Sequence, residues 1–189
     1  MSLLRKILLA FTLALPTLFV GTTTASAQVP IAAAIRPKPL DLNRSTDQRK
    51  LIDNDKKKKS FPRLGRNFEV RGSSTKTYNC IAWSLGIKDR WVWPGGTVND
   101  FDRLYGEKGY KRVQKLDYRR QENVDKIVLY AKKGKDGKIE ATHAARQLSD
   151  GSWSSKLGQL PLIRHLSPND LNGPSYGTPV AVYVRTRSH

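Results

Sequence analysis

The chain has 189 residues, with 34 Lys or Arg against 16 Asp or Glu, a formal charge of +18 at pH 7, one Cys and three His. A single cysteine excludes a disulfide framework, and separations of 63, 22 and 24 residues along Cys80, His143, His165 and His189 match no metal-ligand spacing. No Gly-rich phosphate loop, carboxylate pair or nucleotide fingerprint is present, so neither a metal nor a cofactor is expected.

The N-terminus reads as an export signal. Arg5 and Lys6 form a positive n-region, Ile7 to Val20 is apolar apart from Thr12 and Thr17, and Ala25-Ser26-Ala27 matches small-x-small cleavage. Residues 1–27 are expected to leave as a signal peptide, making the protein secreted or periplasmic; an uncleaved anchor is the alternative. The apolar run is shorter than the roughly 20 residues a spanning helix needs, so no membrane span is expected in the mature protein. Removing Arg5 and Lys6 leaves 32 basic and 16 acidic residues, or +16. Such a charge favours polyanions, and outside the cytoplasm these are cell-wall polymer or lipid headgroups rather than a specific nucleic acid. Solubility alone is the other explanation of the charge.

Residues 28–66 hold 11 basic and 4 acidic residues, four prolines and the Lys56–Lys59 block. This composition predicts a basic, Pro-containing disordered arm, either a tether to an anionic surface or a passive spacer. Only Leu51-Ile52 hints at an amphipathic turn. A folded domain is expected over 67–189.

Within it, Cys80 to Leu85 reads as a short helix capped by Asn79 and ended by Gly86. Trp91 to Gly96 is a loop, and Asn99 to Tyr105 a second helix ended by Gly106. Lys126 to Ala131 has the continuous apolar character of a buried strand, and Lys132 to Lys138 is a polar turn. A strand returns through His143, Ser149-Asp150-Gly151 turns it, and Ser152 to Leu157 follows. Ser167-Pro168 caps a helical turn over Asn169 to Leu171, and Pro179 to Arg185 alternates as a closing strand. Helix first, then antiparallel sheet, predicts an α+β domain.

Cys80 lies in Tyr78-Asn79-Cys80-Ile81-Ala82-Trp83, and His143 in Thr142-His143-Ala144-Ala145-Arg146-Gln147. A thiol at a helix start is favoured as thiolate, and a histidine from elsewhere in the domain is the base it would need. Cys80 is thus a candidate nucleophile and His143 its candidate base, with the Cys80 N–H and the Asn79 side chain as an oxyanion hole. The alternative is a core cysteine, a common fate for that residue. His165 either assists or replaces His143 or is structural. Trp83 and Trp153 are expected in the core, whereas Trp91 and Trp93, in a Gly-Pro loop, are candidates for substrate binding.

A helix opening on Cys, then a strand with His and a tight hairpin through His143 to Trp153, resembles the papain-like superfamily in its compact bacterial NlpC and CHAP forms. The blocks Tyr-Asn-Cys-Ile-Ala-Trp, His-Ala-Ala-Arg-Gln and Trp-Ser-Ser-Lys-Leu-Gly are also similar to a small uncharacterised bacterial family. The resemblance covers roughly Tyr78 to Arg185. It implies a papain-like α+β fold and a cysteine hydrolase of amide bonds, acting on peptidoglycan or another envelope substrate. It also implies a third polar residue that orients the histidine. Ser155 falls at that place if the hairpin loop is the three residues Ser149–Gly151; a two-residue Asp150–Gly151 turn puts Ser154 and Lys156 there instead. Lys156 on that face would hold a thiolate or bind acidic substrate. The competing class is a non-catalytic exported module of the same fold that binds a polyanion or the cell wall. The motif departs from those peptidases in having Asn79 before Cys80 and bulky Ile81 and Trp83 after it.

Overall fold

In the computed structural model, which describes residues 36–53 and 60–187, the elements run in chain order as helix α1 (Thr46–Asp53), strand β1 (Phe68–Gly72), helices α2 (Cys80–Ser84) and α3 (Val98–Gly106), then strands β2 (Lys111–Val113), β3 (Val124–Lys133), β4 (Ile139–Gln147), β5 (Trp153–Lys156) and β6 (Leu162–His165), a 3-10 turn (Pro168–Leu171) and β7 (Thr178–Thr186). The described strands form one antiparallel sheet in the order β1-β6-β5-β4-β3-β7-β2. The fold class is α+β, as the sequence predicts. The expected signal peptide and the Lys56–Lys59 block lie outside the described residues. Among those residues no helix is long and apolar enough to cross a membrane.

The run Ile127 to Ala131 is continuously apolar because β3 is covered on both faces. Successive side chains of a strand point to opposite faces. Val128 and Tyr130 therefore join Phe68, Ala145, Trp153, Ile163 and Val182 in a first core, while Ile127 and Leu129 join Ile81, Phe101, Tyr105, Ala144 and Tyr183 in a second. The second core lies under α2 and α3. The first is closed by Ile52 of α1, by Phe61 and Leu64, and by Leu171 of the 3-10 turn.

Two irregularities position the candidate site. Tyr130 opposes His143 and Ala131 opposes Ala141, so Thr142 is an extra residue in β4; its hydroxyl donates to the carbonyls of Tyr130 (3.3 Å) and Tyr176 (2.6 Å). The β4–β5 hairpin pairs Gln147 with Trp153, and Leu148 N–H donates to the Ser152 carbonyl across a three-residue Ser149–Gly151 loop. Gly151, at φ +84°, makes that turn without Cβ strain. Of the two registers open in the sequence, this one puts Ser155 on the face of His143.

The expected disordered arm does not hold over 36–53 and 60–66. Ile52, Phe61 and Leu64 are buried core residues, and Arg49 donates to the carbonyls of Phe68 (2.7 Å) and Arg66 (2.6 Å) with its guanidinium 4.0 Å from the Phe68 ring. Lys38 and Pro39 are held through their carbonyls by Arg164. The packed unit therefore begins well before Asn67. Apolar residues this sparse show no period, and cations satisfied by backbone carbonyls look in sequence like a solvated tail.

Candidate functional site

Helix α2 begins at Cys80 because Asn79, with extended backbone, accepts the Ala82 N–H on Oδ1 at 2.9 Å. The same carboxamide accepts the Val92 N–H (3.3 Å) and donates to the Val92 carbonyl (2.7 Å), fastening the tryptophan loop to the helix. Both ends of Asn79 are thus occupied. Its role is cap and clamp, a correction to the oxyanion-hole expectation.

Cys80 is buried, 5 % exposed, among Ala141, Ala144, Tyr105 and the rest of the second core. Burial dominates its titration and pushes the thiol up to about 11, although the N–H groups of Ala144, Ile81 and Cys80 itself, and the charge of Lys156, all favour the thiolate. His143 stands on the opposite face of β4, cross-strand from Tyr130 (rings 5.3 Å apart) and stacked on Tyr176 at 3.9 Å and 9°. It is fully buried, and neither ring nitrogen has a hydrogen-bond partner. Burial, with His165 adding to it, holds the imidazole well below its ordinary pKa and hence neutral. No hydrogen bond joins sulfur and imidazole, so the Cys80–His143 dyad expected from the sequence is not assembled. Strand phase is the cause: the Thr142 bulge turns Ala144 toward α2 and His143 away.

Ser155 shares the face of His143 but does not serve it. His165 Nδ1–H donates to the Ser167 carbonyl (2.8 Å), which leaves Nε2 to accept from the Ser155 hydroxyl (2.9 Å). Both residues are buried, and His165 is structural. The third-member role expected for Ser155 is corrected accordingly. Lys156 is also corrected: its Nζ donates to the carbonyls of Thr75 (3.0 Å), Gly158 (2.6 Å) and Leu160 (2.7 Å) at 0 % exposure, leaving nothing for a substrate. Burial lowers its pKa to about 8, against the pull of Cys80. Trp83 and Trp153 are core residues, as expected. Trp91 and Trp93 remain half exposed, Trp91 Nε1 donating to the Lys76 carbonyl and Trp93 meeting Phe101 edge-on.

The family described as Domain of unknown function (DUF7689) matches residues 69–184, more than half of the chain. The chain belongs to this family. No curated protein and no solved structure matches it. The DUF7689 match takes in Cys80, His143, Ser155 and Lys156 but starts after α1, whose Ile52 completes the first core. Two residues in the match escape sequence reasoning. Tyr176 covers His143 from a Gly-Pro-Ser-Tyr-Gly loop with no periodic signal, and Arg146 reads only as part of a strand motif.

The buried thiol makes a measurable prediction. Iodoacetamide should label native Cys80 negligibly at pH 7, and His143→Ala should not shift the labelling midpoint. The ordinary thiol ionises near 9.0 and the folded one near 11. The unfolded state therefore sheds its proton first, so this contribution is complete below pH 9 and is lost as pH rises to 11. By difference from Cys80→Ala, wild type should lose about 3 kcal/mol over that interval in denaturant titrations. Rapid labelling at pH 7 would contradict it.

Proposed function

We propose that this protein is a non-catalytic exported module, on a papain-like scaffold, that binds an anionic polymer of the cell envelope. One observation carries the choice against a cysteine hydrolase: the single thiol is buried, pushed up to about 11, and has no imidazole on it, so no thiolate is available near neutral pH. The excess of 32 basic over 16 acidic residues in the mature chain supplies the attraction, and half-exposed Trp91 and Trp93 offer aromatic faces beside α2. The helix-then-antiparallel-sheet order supports the scaffold. Retention of the full chain on isolated cell-wall sacculi should fall steeply between about 0.05 and 0.5 M salt, as screening shortens the reach of exposed charges. Cys80→Ala should be retained equally. Release of new amine or carboxyl ends from sacculi by wild type, lost in Cys80→Ala, would overturn the proposal.

That outcome belongs to the second reading, the cysteine amide hydrolase. What favours it is His143, buried with both nitrogens unspent and adjacent in sequence to Ala144, whose N–H meets the sulfur. It requires the Tyr176 ring to leave the imidazole.

A further inference from the structure

A cavity of about 280 Å³ opens where the ends of β3, β4 and β7 meet α2. Its charged side chains on the α2 face are Arg146, Arg185 and Arg187 with Asp125, three cations against one carboxylate, a local balance of +2. The carboxylate is already spent, since Asp125 accepts from Arg185 Nη2 at 2.8 Å and from Arg187 Nε at 2.7 Å. Lys126, whose side chain leaves β3 on the face of Val128, is spent on Asp117, donating to its carbonyl at 3.1 Å and pairing with its carboxylate at 3.9 Å. Arg146 differs from all of these. It projects from β4 on the α2 face, and its guanidinium lies 4.0 Å from the Trp83 ring centroid with no hydrogen bond or ion pair to any described residue. Trp83 is itself fixed, by Nε1–H to Ser154 Oγ at 3.2 Å, so the guanidinium rests on a rigid platform with its donors unspent. A half-buried planar cation with free donors, in a cavity of net positive charge, fits the geometry of a bidentate oxyanion.

We propose that this cavity binds a phosphate group, with Arg146 as its principal ligand and Trp83 as the positioning residue beneath it. A dianionic phosphate matches the +2 lining better than a carboxylate does. The ligand class rests on the anion-binding reading above, but the cavity is a discrete site whereas retention on a polymer draws on charge spread over the whole chain.

Titration calorimetry of the full chain with inorganic phosphate, at constant ionic strength, tests it. Wild type should bind one phosphate. Arg146→Met, which keeps the aliphatic stem on Trp83, should weaken it at least tenfold; Arg146→Lys, which keeps charge without the fork, should fall between. Lys133→Gln, an equal charge change at an exposed position outside the cavity, should leave it unchanged. Glycerol 3-phosphate and vesicles of phosphatidate in phosphatidylcholine separate a soluble source from a lipid headgroup, and Arg146-dependent binding to either supports the site. The site is overturned by wild type that binds no phosphate, by Arg146→Met and Arg146→Lys that bind like wild type, by an equal loss in Lys133→Gln, or by acetate bound as tightly as phosphate. Sacculus retention of Arg146→Met is measured in parallel. Retention without phosphate binding in wild type sinks the cavity alone, and loss of retention in wild type sinks the broader reading alone.

Discussion

Arg164→Ala should cost about 3–5 kcal/mol, the range for removing one partner of a buried ion pair. Arg164 is 3 % exposed on β6, and its guanidinium meets Glu69 (3.1 Å), Asp150 (2.7 Å), the Ser152 hydroxyl (2.8 Å) and the carbonyls of Pro39 (3.1 Å) and Lys38. Truncation leaves Glu69, 4 % exposed, without its buried cation. Arg71 remains on the carboxylate at 2.9 Å from a more exposed position, which holds the loss within that range. The two carbonyls lose their donors as well, so the 36–41 segment should loosen together with the sheet. Denaturant titration reads the first effect, and faster tryptic cleavage after Arg44 reads the second. Arg164→Lys should recover only part of the loss, since one ammonium cannot reach five acceptors. A variant of unchanged stability and protease resistance would mean that the network contributes nothing net.

His143→Phe should stabilise the protein by about 1 kcal/mol or more at pH 7, because it keeps a ring against Tyr176 and Tyr130 while removing two buried nitrogens that have no partner. Its effect should grow on acidification. Burial holds both His143 and His165 below their ordinary pKa of 6.5. The unfolded chain takes up protons below pH 6.5 that the folded chain refuses, so stability is intact above that pH and falls beneath it. Each histidine contributes about 1.4 kcal/mol per pH unit until its folded form protonates. His143→Phe should remove one of the two contributions, flattening the acid limb of a stability-against-pH curve and leaving the slope due to His165. A neutral-pH loss of stability in this variant would show that the ring nitrogens are bonded in solution.

How far the sequence reaches is set by signal length. The run Ile127 to Ala131, the Ser149–Gly151 turn, the Asn79 and Ser167 caps and the alternation of Thr178–Thr186 each carry several residues of consistent pattern, and each appears in the structure near its expected bounds. Strands β1, β2 and β6 are three to five residues long, and charged side chains interrupt them. They exist through pairing, which no local pattern records. The candidate site is less legible for a finer reason. Cys80 and His143 fall on a helix start and a strand as expected, but one extra residue at Thr142 decides which face the imidazole takes, and its hydroxyl bonds to Tyr176, a partner 34 positions away. Lys156 and Arg164 read as surface charges because the carbonyls and carboxylates that accept their protons come from distant segments.

The guanidinium of Arg49 has a meaning beyond packing. Strand β1 stands at the margin of the sheet, paired with β6 on one side only. A bare margin is a template on which a second molecule can add a strand. Arg49, from a helix that precedes the family match, spends two donors on the carbonyls of Phe68 and Arg66. A segment that reads in sequence as a loose leader therefore acts as a guard against self-recruitment. The smallest piece of this chain that should remain solitary is accordingly longer than the domain its family defines.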